Sequence, residues 1–229
     1  TKVMTALIAL ESAPENSIVT IGRNSIEVEG DSGLNEGDKW TLAELLEFTL
    51  IVSSNDGAHA VASAINSLDG DVIEEVETEE QTFIERMNER SSEIGLVQTY
   101  FINETGLDTN LSTGGGYGSA RDMAHLFEYA ISVEPRLVEA TSYAETGYDT
   151  SAENEFVAEN TNDAVKNIPG IIGSKTGFTD LAGGNLIVAY NAGLNQPLII
   201  SVLGSTADGR FEDMSKLVAA SLKAVGRAY

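Results

Sequence analysis

Cysteine is absent from the 229 residues, and histidine occurs only twice, as His59 and His125. A thiol nucleophile, a disulfide framework and a cysteine-bearing zinc site are all excluded. Basic residues are scarce as well: 13 Lys and Arg stand against 36 Asp and Glu, a formal net charge of -23. A surface of that sign repels phosphate backbones and anionic lipid, so nucleic-acid binding is disfavoured and the charge reads as a solvated coat. No run of about 18 apolar residues offers a membrane-spanning helix. The opening residues show neither the basic flank nor the small-residue cleavage pattern of a secretory signal.

What remains is an ordinary globular composition, 42% apolar and 21% charged, long enough to bury a sizeable core and unlike a disordered tail. With no internal repeat and no linker, a single domain over 1–229 is expected. "TKVMTALIAL" begins without Met and is already in helical register, with Val3, Met4, Leu7, Ile8 and Leu10 on one broad face. "SIVTIG" (17–22) alternates like a strand, and "SGLNEGDKW" (32–40) reads as a loop. Thr41 and Glu44 then form a capping box ahead of the almost wholly apolar "LAELLEFTLIV". "NDGAHAVASAIN" (55–66) predicts a second buried helix, and an acidic run over 69–80 a solvated loop or exposed helix face. Thr78 and Gln81 are the expected cap of "TFIERMNERSSEIGL", and Ser119 that of "ARDMAHLFEYAI".

Beyond Pro135 the texture changes. "VEATSYAE" and "NEFVAEN" read as short extended segments. "GIIGSKTGFT", "NLIVAYNA" and "PLIISVLG" predict an antiparallel meander, closed by an amphipathic helix over about 210–226. Helices in the middle with strands and a helix at the end imply an α+β fold.

Three short stretches carry chemistry. "GSKTGFT" (173–179) places a cation, a hydroxyl and a glycine on a strand edge, which suits a carboxylate, although any surface hairpin could hold such a trio. "VSSNDG" (52–57) puts Ser53 and Asn55 at the junction of two buried helices, where capping and chemistry are both open readings. Thr1-Lys2 followed by "VMTALIALE" is the tail of a Ser-x-x-Lys pattern, in which a Ser one helical turn ahead gives its proton to the amine as it attacks a carbonyl. These elements occur in the order found in penicillin-binding proteins and serine β-lactamases.

With "SSNDGAHAVA", "IGLVQTYFINETGLD", "GSARDMAHL", "ENTNDAV", "GSKTGFTDLAGGNLIVA" and "VLGSTADGRFEDMSKL" added, nearly the whole chain resembles the low-molecular-weight penicillin-binding proteins, serine D-alanyl-D-alanine carboxypeptidases of peptidase family S11. The resemblance implies a penicillin-binding protein/serine β-lactamase-like fold and an acyl-enzyme reaction that removes the terminal D-Ala from peptidoglycan pentapeptide stems. It makes Lys2 the general base, Ser53 a proton relay and Asn55 the holder of the substrate's amide. It assigns the terminal carboxylate to Lys175, Thr176 and Gly177, with Arg210 assisting; as an alternative, Arg210 is an exposed residue at a helix start. An oxyanion-binding N–H is implied near Phe178 or Thr179. β-Lactams are implied ligands, and no metal or cofactor is expected.

The resemblance also implies that the nucleophilic Ser lies two residues before Thr1 and that strands ahead of the first helix pair with the Lys-Thr-Gly strand. Membrane attachment would come only through segments outside these residues, and action is expected outside the cytoplasm. An alternative of another class is a non-catalytic module that binds peptidoglycan stems or a partner. A β-lactamase is the weaker reading, since no Glu stands out for class A deacylation. His59 and His125 read as packing or surface residues, and "GGGYG" (114–118) as a flexible loop rather than a phosphate cradle. The sequons at Asn103 and Asn110 carry little meaning in a bacterial-type exported enzyme.

Overall fold

A helix that is apolar on every side belongs in the middle of its neighbours. In the computed structural model, which describes residues 1–69, 81–149, 155–193 and 196–226, the opening stretch forms α1 (Lys2–Ser12) with every residue from Lys2 to Ala9 buried. β1 (Ile18–Thr20) follows, then the single-turn α2 (Arg23–Ile26), and β2 (Lys39–Thr41) returns to pair antiparallel with β1. Lys39 and Trp40 are thus strand residues, not the end of a loop as expected. Burial of the Trp40 ring 5.1 Å from Phe48 and 5.0 Å from Phe156 overrides the polar run before it.

Thr41 caps α3 (Leu42–Ile51) through the expected reciprocal box with Glu44. α4 (Asn55–Asp69) buries Val61 and Ile65 together with Ala58, Ala60 and Ala62, whose small side chains let α1 and α3 approach closely. α5 (Phe83–Glu93) is capped by Thr82 with Glu85 rather than by Thr78 with Gln81. Both pairs have the right spacing, but the helix starts where Phe83 and Met87 enter the core. Thr78 and most of the 69–80 acidic run lie outside the described residues.

β3 (Tyr100–Phe101) pairs with β4 (Gly116–Tyr117), and α6 (Ala120–Val133) starts at its Ser119 cap. α7 (Pro135–Glu139) and a 3-10 turn at Ala140–Ser142 occupy most of the stretch expected to be extended. Pro135 at the first turn presets φ for a helix, and Leu137 and Val138 are buried from it. β5 (Glu145–Asp149) and β6 (Glu155–Glu159) then form an antiparallel pair.

β7 (Ile171–Thr179), β8 (Gly183–Asn191) and β9 (Pro197–Ser205) are the expected meander, and α8 (Gly209–Val225) is the closing helix. Alternation along β8 explains how the sheet is covered. Leu186, Val188 and Tyr190 face one way and pack with Met214 and Val218 of α8, while Ile187 and Ala189 join the core built around α1. α6 and α7 lie against the sheet and α1 against α6, so the central helices meet β7 along one side. That side is where the site lies.

Candidate active site

A cleft of about 660 Å³ opens between the start of α1, the α3–α4 junction, the 105–118 loops and the inner edge of β7. Lys2, Ser53, Asn55, Lys175, Thr176, Gly177, Phe178, Thr179 and Arg210 all line it. Residues from four separate stretches of sequence therefore share one wall-to-wall space.

The α3–α4 junction divides its polar residues between two tasks. Ser54 takes the capping task, with its hydroxyl accepting from the N–H of Gly57 at 2.8 Å. A Cβ on Gly57 would lie 2.1 Å from Thr49 Oγ1, so glycine lets α4 start hard against α3. Ser53 is left to the cleft, at φ 60, a left-handed conformation that costs about 1–2 kcal/mol in a residue with a Cβ. Asn55, first residue of α4, accepts a hydrogen bond from Lys2 Nζ at 2.6 Å and donates to the Glu29 carbonyl at 2.7 Å.

Lys2 donates a second bond, at 2.9 Å, to the carbonyl of Thr105. Burial pulls its amine down to about 8, against the opposing pull of Glu104 and Asp56. A neutral amine has two N–H groups and one lone pair. With both N–H groups committed, the lone pair is left to a third direction.

On the opposite wall Lys175 Nζ donates to the Thr176 carbonyl at 2.8 Å. Burial, then the charges of Lys2 and Arg210, hold this amine well below the ordinary lysine range. Arg210 Nη1 donates to the Gly177 carbonyl at 2.9 Å, and the guanidinium lies 4.7 Å from the Phe211 ring centre. Burial lowers its pKa, while Asp163 and Asp208 raise it. Arg210 stands at the start of α8, as the alternative had it, but is half-buried and held against β7 at the cleft. Three basic side chains thus converge in a chain of net charge -23.

Sequence reasoning missed several of the supports. Thr161 Oγ1 lies 2.5 Å from Thr176 Oγ1 and 3.3 Å from the Ile51 carbonyl, so it ties β7 to the end of α3. It falls in "ENTNDAV", which was singled out as a segment but not residue by residue. Thr105 acts through its backbone carbonyl, which leaves no mark in a sequence. His59, expected to be a packing or surface residue, lies 2.6 Å from Glu104 Oε1, whereas His125 is exposed on α6. The glycine run at 114–118 is not a free loop: a Cβ on Gly115 would sit 2.2 Å from the Leu107 carbonyl, and the backbones pack there directly.

A family model described as Peptidase S11, D-alanyl-D-alanine carboxypeptidase, matches residues 1–207. The chain is 28% identical over 224 residues to the D-alanyl-D-alanine carboxypeptidase DacF of Bacillus subtilis, covering 95% of this chain and 54% of DacF. It therefore spans about half the length of that relative. Among solved structures, penicillin-binding protein D2 of Listeria monocytogenes in its ampicillin-bound form is similar at a TM-score of 0.74 and 26% identity, over 95% of this chain and 84% of that one. The Streptomyces K15 DD-transpeptidase shares the fold at a TM-score of 0.77 and 23% identity, over 97% of this chain and 86% of that one.

Proposed function

The chain belongs to the D-alanyl-D-alanine carboxypeptidase family, and we propose that residues 1–229 form a single transpeptidase-like domain carrying the cleft of a serine D,D-carboxypeptidase. Its substrate is the D-Ala-D-Ala end of a peptidoglycan stem peptide, met outside the cytoplasm, and its inhibitors are β-lactams. The observation that supports this best is the placing of Lys2, its amine lowered to about 8 by burial, across one cleft from two further basic side chains, Lys175 and Arg210.

The stem's terminal carboxylate sits against Lys175, Thr176 and Arg210, where charge-assisted bonds replace the charge the cleft lacks. A Ser two residues before Thr1, one turn ahead of Lys2, attacks the penultimate D-Ala carbonyl carbon and gives its proton to Lys2 Nζ. The oxyanion is stabilised by backbone N–H groups at the nucleophile and near Phe178 or Thr179. As the C–N bond breaks, the leaving D-Ala amine takes a proton relayed through Ser53. Water then hydrolyses the acyl ester. Asn55 still has a second amide N–H beyond the one given to Glu29, and that donor holds the substrate's backbone carbonyl. Penicillin-binding protein D2 has been seen with ampicillin and with cefotaxime bound, and the same chemistry is proposed here.

The test is a fluorescent penicillin offered to a chain carrying its own upstream residues, followed by mapping of the adduct and an assay for released D-Ala. An adduct on a Ser two residues before Thr1, with D-Ala released, is expected, and residues 1–229 alone take up no label. A chain that binds a D-Ala-D-Ala peptide without forming any adduct is a non-catalytic module, and that outcome sinks the enzyme reading.

A further inference from the structure

The wall behind Lys2 is the segment 103–108, and it is tied to three separate elements. Glu104 is held at both ends: its carbonyl accepts from Thr5 Oγ1 of α1 at 2.7 Å, and its carboxylate lies 2.6 Å from His59 Nδ1 of α4. The next residue, Thr105, offers its carbonyl to Lys2 Nζ at 2.9 Å. At the other end Asp108 accepts from Thr179 Oγ1 at 2.9 Å and from the Leu181 N–H at 3.0 Å, both at the tip of β7. Between them the chain turns at Gly106 (φ 85), whose N–H donates to Asn103 Oδ1 at 2.6 Å.

His59 stands one helical turn beyond Asn55, so the face of α4 that presents Asn55 to Lys2 also grips Glu104. Both partners of the Lys2 amine, Asn55 Oδ1 and the Thr105 carbonyl, therefore derive their position from one helix. Glu104 is only 15% exposed, and among the described residues the imidazole is the close partner of its carboxylate.

We propose that segment 103–108 is a strap that positions the Lys2 amine, with Glu104 and His59 as its positioning residues on the helical side and Asp108 on the sheet side. This rests on the reading of Lys2 as the proton acceptor. The strap acts in two ways. It places a carbonyl that orients the amine, and it brings the Glu104 charge to bear on it. The charged groups that raise the Lys2 pKa are Glu104 from the strap and Asp56 from α4, while the Thr1 amino group and Lys175 of β7 are lowered in turn by the Lys2 charge.

The experiment titrates Lys2 itself, by NMR of isotope-labelled lysine side chains in the 229-residue chain, with its signal assigned by loss in Lys2→Met. The parent midpoint is expected at about 8. Glu104→Gln keeps the wall and removes the charge, so the midpoint falls by about half a pH unit or more. His59→Ala releases the wall and admits water; because burial is the largest influence on the amine, its relief outweighs the retreat of the Glu104 charge and the midpoint rises by a similar amount, and His59→Gln, which keeps a donor toward Glu104, restores it. Should Glu104→Gln or His59→Ala fail to fold, Asp108→Ala carries the test with the same upward shift expected. Midpoints within about 0.2 unit of the parent in folded variants overturn the proposal. Because the readout needs no turnover, it fails separately from the enzyme reading. Shifts without any penicillin adduct leave the strap standing and remove the carboxypeptidase, and an adduct without shifts does the reverse.

Discussion

The two walls of the cleft solve opposite electrostatic problems. On the helical wall Lys2 is buried with Asp56 and Glu104 behind it, so its amine is depressed only to about 8 and is balanced between charged and neutral forms. On the sheet wall burial first, and then the charges of Lys2 and Arg210, hold the Lys175 amine well below the ordinary lysine range. The Asp163 and Asp208 charges support Arg210, and Asp108, the one acidic residue lining the cleft among the described residues, is bonded at the tip of β7. One wall is tuned to exchange a proton at moderate pH. The other is short of negative charge until an anion arrives. A single fold achieves both because carboxylates stand behind Lys2 and Arg210, whereas Lys175 is buried facing those two charges.

The largest effect comes from removing the proton-exchanging side altogether. In a chain that carries its own upstream residues, Lys2→Met is expected to slow penicillin acylation about 10³-fold. The parent's acylation rate should climb about tenfold per pH unit up to about 8 and then level off, because the neutral amine is the active form and protonation below that point removes it. A parent profile flat between pH 6 and 9 (a window set by the ordinary range of general-base catalysis) would contradict the assignment of Lys2.

Next comes the anion-binding side. Arg210→Gln should raise KM about tenfold for a peptide ending in a free D-Ala carboxylate, through the loss of a charge-assisted bond, and change little for the same peptide with an amidated end. Equal losses for both peptides would mean that Arg210 supports β7 through the Gly177 carbonyl rather than reading charge. The smallest effect tests the seam between the walls. Thr161→Val leaves Thr176 Oγ1 buried without its partner, at a cost of about 1–2 kcal/mol in denaturant unfolding and a few-fold in acylation. Unchanged stability would show that the seam is held by the backbone bond from Thr161 N–H to the Ile51 carbonyl alone.

Much of this was legible from residue order. The Thr41–Glu44 and Ser119 caps, the apolar helices around α1 and the meander all follow from local spacing, and all are present. Errors arose where two local signals had equal standing. Thr78 with Gln81 and Thr82 with Glu85 have the same spacing, and only the burial of Phe83 separates them. "VEATSYAE" has strand-like composition, yet Pro135 ahead of it starts a helix. Trp40 looked like the end of a polar loop because its partners, Tyr148 and Phe156, lie more than a hundred residues away in sequence.

The site divides in the same way. Lys2, Asn55 and Lys175 could be named because each lies in a short motif, and the order of the three motifs resembles that of a known family. Thr105, Thr161, Glu104 and His59 could not, because what they contribute is a carbonyl or a partner supplied from another element. Sequence alone determined which chemical groups this chain owns and the short-range geometry that presents each one. Tertiary structure decided which groups face one another, and with that the balance of burial and charge that sets the Lys2 amine at about 8 and holds the Lys175 amine of the sheet well below its ordinary range. Charge interaction and desolvation depend on distance in space and on excluded water, and neither is written in residue order.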